Sequence, residues 1–83
     1  MSGSIKSIKI SRELAANALR VLRVEKVDPD KWSSEPTIVK LDGHEFKIKS
    51  ATKGRVTILY NELPKELQTK LVLALVRELQ LLE

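Results

Sequence analysis

Apolar and polar positions alternate along residues 5–10, Ile5-Lys6-Ser7-Ile8-Lys9-Ile10, placing Ile8 and Ile10 on one side of a short strand. Lys6 and Lys9 suit a sheet edge, because charge there opposes pairing with a stray chain. Ser11 stands where a helix N-cap is expected, and the apolar spacing then lengthens. Leu14, Ala15, Ala18, Leu19, Val21 and Leu22 share one stripe of a helix running from Arg12 to about Val24, with Glu13, Asn17, Arg20 and Arg23 facing away. Asp28-Pro29 supplies the stop, since the residue before proline avoids helical dihedrals. Asp28 is the expected cap, and Pro29 the first residue, of one further helical turn ending near Trp32. Ser33-Ser34-Glu35-Pro36 reads as a loop.

The middle of the chain predicts a three-stranded meander over about 36–41, 44–51 and 55–60. Asp42-Gly43 between β-rich runs signals a two-residue hairpin. It pairs Leu41 with His44, Val39 with Phe46 and Thr37 with Ile48 on one face, and Lys40 with Glu45 and Ile38 with Lys47 on the other. A two-residue second turn at Lys53-Gly54 would send Val56, Ile58 and Tyr60 to the lysine-bearing face. A three-residue turn, Thr52-Lys53-Gly54 with Gly54 left-handed, instead joins Ser50 to Val56, Ile48 to Ile58 and Phe46 to Tyr60. The second register unites the apolar faces and is preferred. Pro64 then opens a final helix of about nineteen residues, whose inward stripe is Leu67, Leu71, Ala74, Leu75, Leu79 and Leu82. Leu73 and Val76 fall in the sector of Thr69, Arg77 and Gln80, where a helix covering one sheet face has no use for them.

The expected architecture is therefore α+β: a two-layer β-α-β-β-β-α domain with an antiparallel meander sheet and both helices on one face. Its 83 residues make a single domain, 1–83, with residues 1–4 as a flexible lead-in. Apolar residues make up 42% and charged residues 31%, as in folded globular chains; aromatics are only 4%, so Leu, Ile and Val must fill the core. There is no cysteine for a disulfide or thiolate–metal site. The longest apolar run, Leu71 to Val76, is far too short to span a bilayer. Met1-Ser2-Gly3-Ser4 lacks the apolar stretch of a secretory signal, so a cytoplasmic location is expected.

Charge narrows the function classes further. The net charge is +4, with six bases and two acids in residues 1–27 and five bases and two acids in 36–60. In the preferred register Lys40, Lys47, Lys49 and Arg55 share the outer sheet face, with Lys53 at the adjoining turn. These residues are the candidate nucleic-acid-binding set, acting through phosphates rather than bases. Phe46 and Tyr60 belong to the core in this register, which leaves Trp32 as the one aromatic for stacking. The candidate partner interface is Val72, Leu73, Val76 and Gln80 on the final helix, since a small domain gains stability by associating.

No catalytic constellation emerges. His44, the single histidine, sits beside the Asp42-Gly43 turn with no serine and carboxylate placed around it. Asp28, Asp30 and Glu35 lack the spacing of a calcium loop, and Gly3, Gly43 and Gly54 are too scattered for a phosphate-binding loop. No metal, cofactor or small-molecule substrate is indicated.

Two families bear comparison. Ala15-Ala16-Asn17-Ala18-Leu19-Arg20-Val21-Leu22-Arg23-Val24-Glu25, the Ser33-Ser34 loop, and Val39-Lys40-Leu41-Asp42-Gly43-His44-Glu45-Phe46-Lys47-Ile48 resemble the helix, loop and hairpin of the small dimer-forming subunit of the KEOPS tRNA-modification complex. The resemblance covers residues 4–50. Beyond it, Arg55-Val56-Thr57-Ile58-Leu59-Tyr60 stands where that family passes into a helix. It implies a non-catalytic subunit that dimerises, bridges enzyme subunits and helps hold tRNA. Residues 12–82 are also similar in topology to double-stranded-RNA-binding domains, although Pro64-Lys65-Glu66-Leu67 replaces their lysine cluster.

The sequence thus predicts a non-catalytic small subunit or adaptor that dimerises or docks through its C-terminal helix within a larger assembly, one that modifies tRNA if the resemblance holds. The alternative is a domain that binds RNA or DNA backbone with the basic face of its sheet.

Overall fold

The computed structural model describes residues 6–25, 27–51 and 53–81. The lead-in expected at residues 1–4 and the inward position assigned to Leu82 lie outside the described residues. The elements are β1 (Ser7–Ser11), α1 (Arg12–Val21), a 3-10 turn (Pro29–Lys31), β2 (Thr37–Leu41), β3 (His44–Ser50), β4 (Arg55–Leu59) and α2 (Lys65–Leu81). This is the expected β-α-β-β-β-α arrangement. The strands form one antiparallel sheet in the order β1-β4-β3-β2, so the first strand pairs with the last.

Local chemistry accounts for the hairpins. Asp42 and Gly43 have φ of 50° and 81°, the two left-handed residues that a two-residue hairpin turn requires. The pairs Leu41↔His44, Val39↔Phe46 and Thr37↔Ile48 follow. Ala51 N–H donates to the Arg55 carbonyl at 2.8 Å, closing a three-residue loop in which Lys53 and Gly54 are left-handed. Ile48↔Ile58 and Ser50↔Val56 are then in register, which puts Val56 and Ile58 inside.

α1 starts where expected: the Ser11 hydroxyl accepts the Leu14 N–H at 3.2 Å. It ends earlier than the sequence suggests. Arg23 adopts φ 63°, Val24 N–H donates to the Leu19 carbonyl and Arg23 N–H to the Arg20 carbonyl. That bond pair is a Schellman cap, here with arginine where glycine is usual, and it buries Val24 beside Leu19. The helix therefore stops at Val21, seven residues before Asp28, and Val21 is exposed rather than part of the inward stripe. Asp28 gives no side-chain cap to the 3-10 turn; its carboxylate instead lies 3.8 Å from Lys31 Nζ.

Both helices cover the same sheet face. Ile10, Leu14, Leu19, Val39, Phe46, Ile48, Val56, Ile58, Leu67, Leu71 and Leu75 are buried between the layers, with Ala15, Ala16 and Ala18 allowing α1 to approach closely. Trp32 joins this core at 6% exposure and is unavailable for stacking on a base. α2, with seventeen residues against ten in α1, outruns its cover, and Leu79 is 47% exposed instead of inward.

Candidate functional site

Two surfaces remain uncovered, and the topology decides what each contains. The outer sheet face is built in rows across the strands. One row reads Ser7, Leu59, Lys47 and Ile38; the next reads Lys9, Thr57 and Lys49; Arg55 follows beside Ser11, and Lys40 pairs with Glu45 at the opposite end. The candidate residues Lys40, Lys47, Lys49 and Arg55 thus share one face, with Lys53 exposed at its adjoining turn. Lys9 is the residue that sequence reasoning did not place there. Its position depends on β1 pairing with β4, a contact between chain segments almost fifty residues apart that no local pattern encodes.

Five strand cations, Lys9, Lys40, Lys47, Lys49 and Arg55, therefore face one strand carboxylate, Glu45. Among the described residues the only ion pairs are Lys31–Asp28 and Lys70–Asp42, so none of the five is matched at ion-pair distance. Lys9 and Lys49 stand two strands apart, about 10 Å. At physiological salt that is close to the screening length of roughly 8 Å. Their mutual repulsion is consequently mild, while a polyanion lying across the sheet would feel all five. Ile38, 58% exposed, and half-buried Leu59 flank Lys47 and give the patch an apolar strip.

The second surface belongs to α2. Leu73 is 59% exposed and Val76 41% exposed, and α1 does not wrap round to cover them. The proposed interface residues divide by position. Leu73 and Gln80 stand exposed on the crest of the helix. Val72 and Val76, with Leu75 and Leu79, instead line a 330 Å³ groove whose other wall is Ile8, Lys9, Ile10 and Ser11 of β1, with Leu14 and Arg55 also lining it. Outside the groove, Gln68 of α2 links the helix to the residues before it and before β1. Its side-chain NH2 donates to the Leu63 carbonyl at 2.7 Å, and its Oε1 accepts from Lys6 Nζ at 3.1 Å.

β1 is an edge strand, and its hydrogen bonds have a definite polarity. Tyr60 N–H donates to the Lys6 carbonyl, and Arg12 N–H donates to the Gly54 carbonyl. Backbone groups alternate sides along an antiparallel strand. Residues 6, 8, 10 and 12 therefore address β4, and the N–H groups of Ser7, Lys9 and Ser11 point to the open edge. His44, at the start of β3, is exposed with no hydrogen-bond partner for its ring among the described residues. No group of three His, Asp or Glu side chains placed to hold a metal occurs among them either. No described helix is long and apolar enough to cross a membrane. No protein-family model, curated protein or solved structure matches the chain, so the functional reading rests on these two surfaces.

Proposed function

We propose that this protein is a non-catalytic adaptor that docks another protein along the uncovered side of α2. The observation that carries the reading is the run of apolar side chains left open on one helix: Leu73 at 59%, Val76 at 41% and Leu79 at 47%. Together they leave the equivalent of about one and a half side chains in water. Covering them contributes roughly 2–4 kcal/mol at 1.5–3 kcal/mol per side chain. Association costs about 4 kcal/mol or more in lost freedom. The ridge alone therefore supports only weak binding, and a stable complex must recruit the polar groups beside it.

The test is recovery of complexes from cells that produce the protein, read by native mass spectrometry. The wild-type chain is expected to come out with a stoichiometric partner, and the Leu73→Lys, Val76→Lys double variant without it. A double variant that folds and recovers the same complex contradicts the reading.

The five unmatched cations of the outer sheet face favour a second role, contact with a nucleic-acid backbone. In a tRNA-modifying assembly of the kind implied by the resemblance over residues 4–50, α2 would hold the protein partner. The opposite face of the sheet would meet RNA phosphates through the cations of its strands.

A further inference from the structure

From the geometry we infer the class of partner that α2 takes: an extended segment, alternately apolar and acidic, that adds to the sheet as a fifth strand on the free edge of β1. This rests on the docking reading above and deepens it. The groove between β1 and α2 is apolar along its floor, through Ile8, Ile10, Val72, Val76 and Leu79. Its open side carries the N–H groups of Ser7, Lys9 and Ser11, which are left to water in the free protein and are spaced to pair with another backbone in β conformation. A strand laid there sends alternate side chains to opposite faces. One set enters the groove beside Val76 and Leu79. The other emerges on the outer face next to Lys9.

Charge selects the occupant. The groove is lined by two cations, Lys9 and Arg55, and by no carboxylate. A second copy of β1 paired antiparallel about Lys9 would set Lys9 against Lys9 and Lys6 against Arg12, like charge against like. Acidic side chains at the outward positions of a foreign strand meet opposite charge instead, and directly opposed strand residues interact most strongly. The other sheet edge offers no such selectivity. The cleft beside β2 mixes Arg23, Lys31 and Lys40 with Glu25, Asp28 and Asp42, and the 3-10 turn residue Lys31 is already paired with Asp28.

The test uses a blocked, fluorescein-labelled peptide, Asp-Ile-Glu-Val-Glu-Ile-Asp, followed by fluorescence anisotropy against the full chain. Binding is expected, and replacing the acidic residues by lysine should abolish it. Because the Lys9 N–H points outward, Lys9→Pro removes an edge donor without breaking a bond to β4, a position where strands tolerate proline. It should weaken the peptide at least ~10-fold, given that a lost hydrogen bond and a blocked approach act together. Lys9→Glu, which keeps the N–H, should weaken the acidic peptide and improve the lysine peptide, so a reading survives if the proline variant fails to fold.

Equal affinity of folded Lys9→Pro for the acidic peptide, or equal affinity of wild type for both peptides, overturns the inference. So does a concentration-dependent dimer, seen by light scattering, that Lys9→Pro dissolves, since the edge then belongs to a second copy. Complexes lost on Leu73→Lys, Val76→Lys but indifferent to Lys9→Pro would retain the adaptor reading and overturn the strand-addition mode alone.

Discussion

Leu71 and Leu73 stand two residues apart on α2, and the account assigns them opposite fates. Leu71 is fully buried in the core, whereas Leu73 is 59% exposed. Truncating a buried leucine costs about 2–5 kcal/mol, the spread reflecting how far the cavity collapses. A chain of this length is expected to have about 4–12 kcal/mol of stability in all, so Leu71→Ala removes a large part of it. Leu73→Lys exchanges one good helix former for another on an open face, and the change should stay within about 0.5 kcal/mol. Urea unfolding followed by far-ultraviolet circular dichroism reads both. With a slope of about 1 kcal/mol per molar for a small domain, Leu71→Ala should lower the midpoint by roughly 2–5 M or unfold the protein, and Leu73→Lys by less than about 0.5 M. The measurements belong at low protein concentration, where association adds nothing to stability. A fall of more than about 1.5 M for Leu73→Lys would refute the reasoning, because the side chain would then be packed within its own chain.

Three cations of the outer sheet face give a second test. Binding of a single-stranded RNA by all five strand cations should fall with salt at a logarithmic slope of about −3.5, or roughly 100-fold between 50 and 200 mM. The Lys47→Ala, Lys49→Ala, Arg55→Ala variant should reduce that slope to about −1.4; an unchanged slope places the contact elsewhere. Arg23, at φ 63° in the cap of α1, holds a conformation that suits glycine. Arg23→Gly should raise stability by about 0.5–1 kcal/mol in thermal or urea unfolding, and a loss would show that the arginine side chain contributes more than its backbone strain costs.

The middle of the chain was legible because its turns are encoded by residues with few alternatives. Asp42-Gly43 admits one hairpin, and only the three-residue second loop brings Val56 and Ile58 to the face of Phe46 and Ile48. The limits lie where tertiary packing decides. α1 ends on an arginine in the left-handed region, which carries no sequence signal of a stop, and the cap is stabilised by burying Val24. Trp32 enters the core from a segment with no periodicity, so its neighbours could not be read in advance. The pairing of β1 with β4 is non-local, and for that reason the fifth cation, Lys9, and the groove beside Val76 appear only in the fold. Leu79 fits the inward spacing of α2 but lies where the helix extends past its shorter neighbour.

Amide hydrogen exchange at residues 7–10 addresses the docking surface most directly, because the strand carries its own internal reference. In the free protein the account predicts slow exchange at Ile8 and Ile10, whose N–H groups face β4, and fast exchange at Ser7 and Lys9, whose groups face the open edge. With an alternating acidic segment bound, Ser7 and Lys9 should slow to the level of their neighbours. A Lys9 amide that is protected before any partner is added, or that stays fast at saturation, would contradict it.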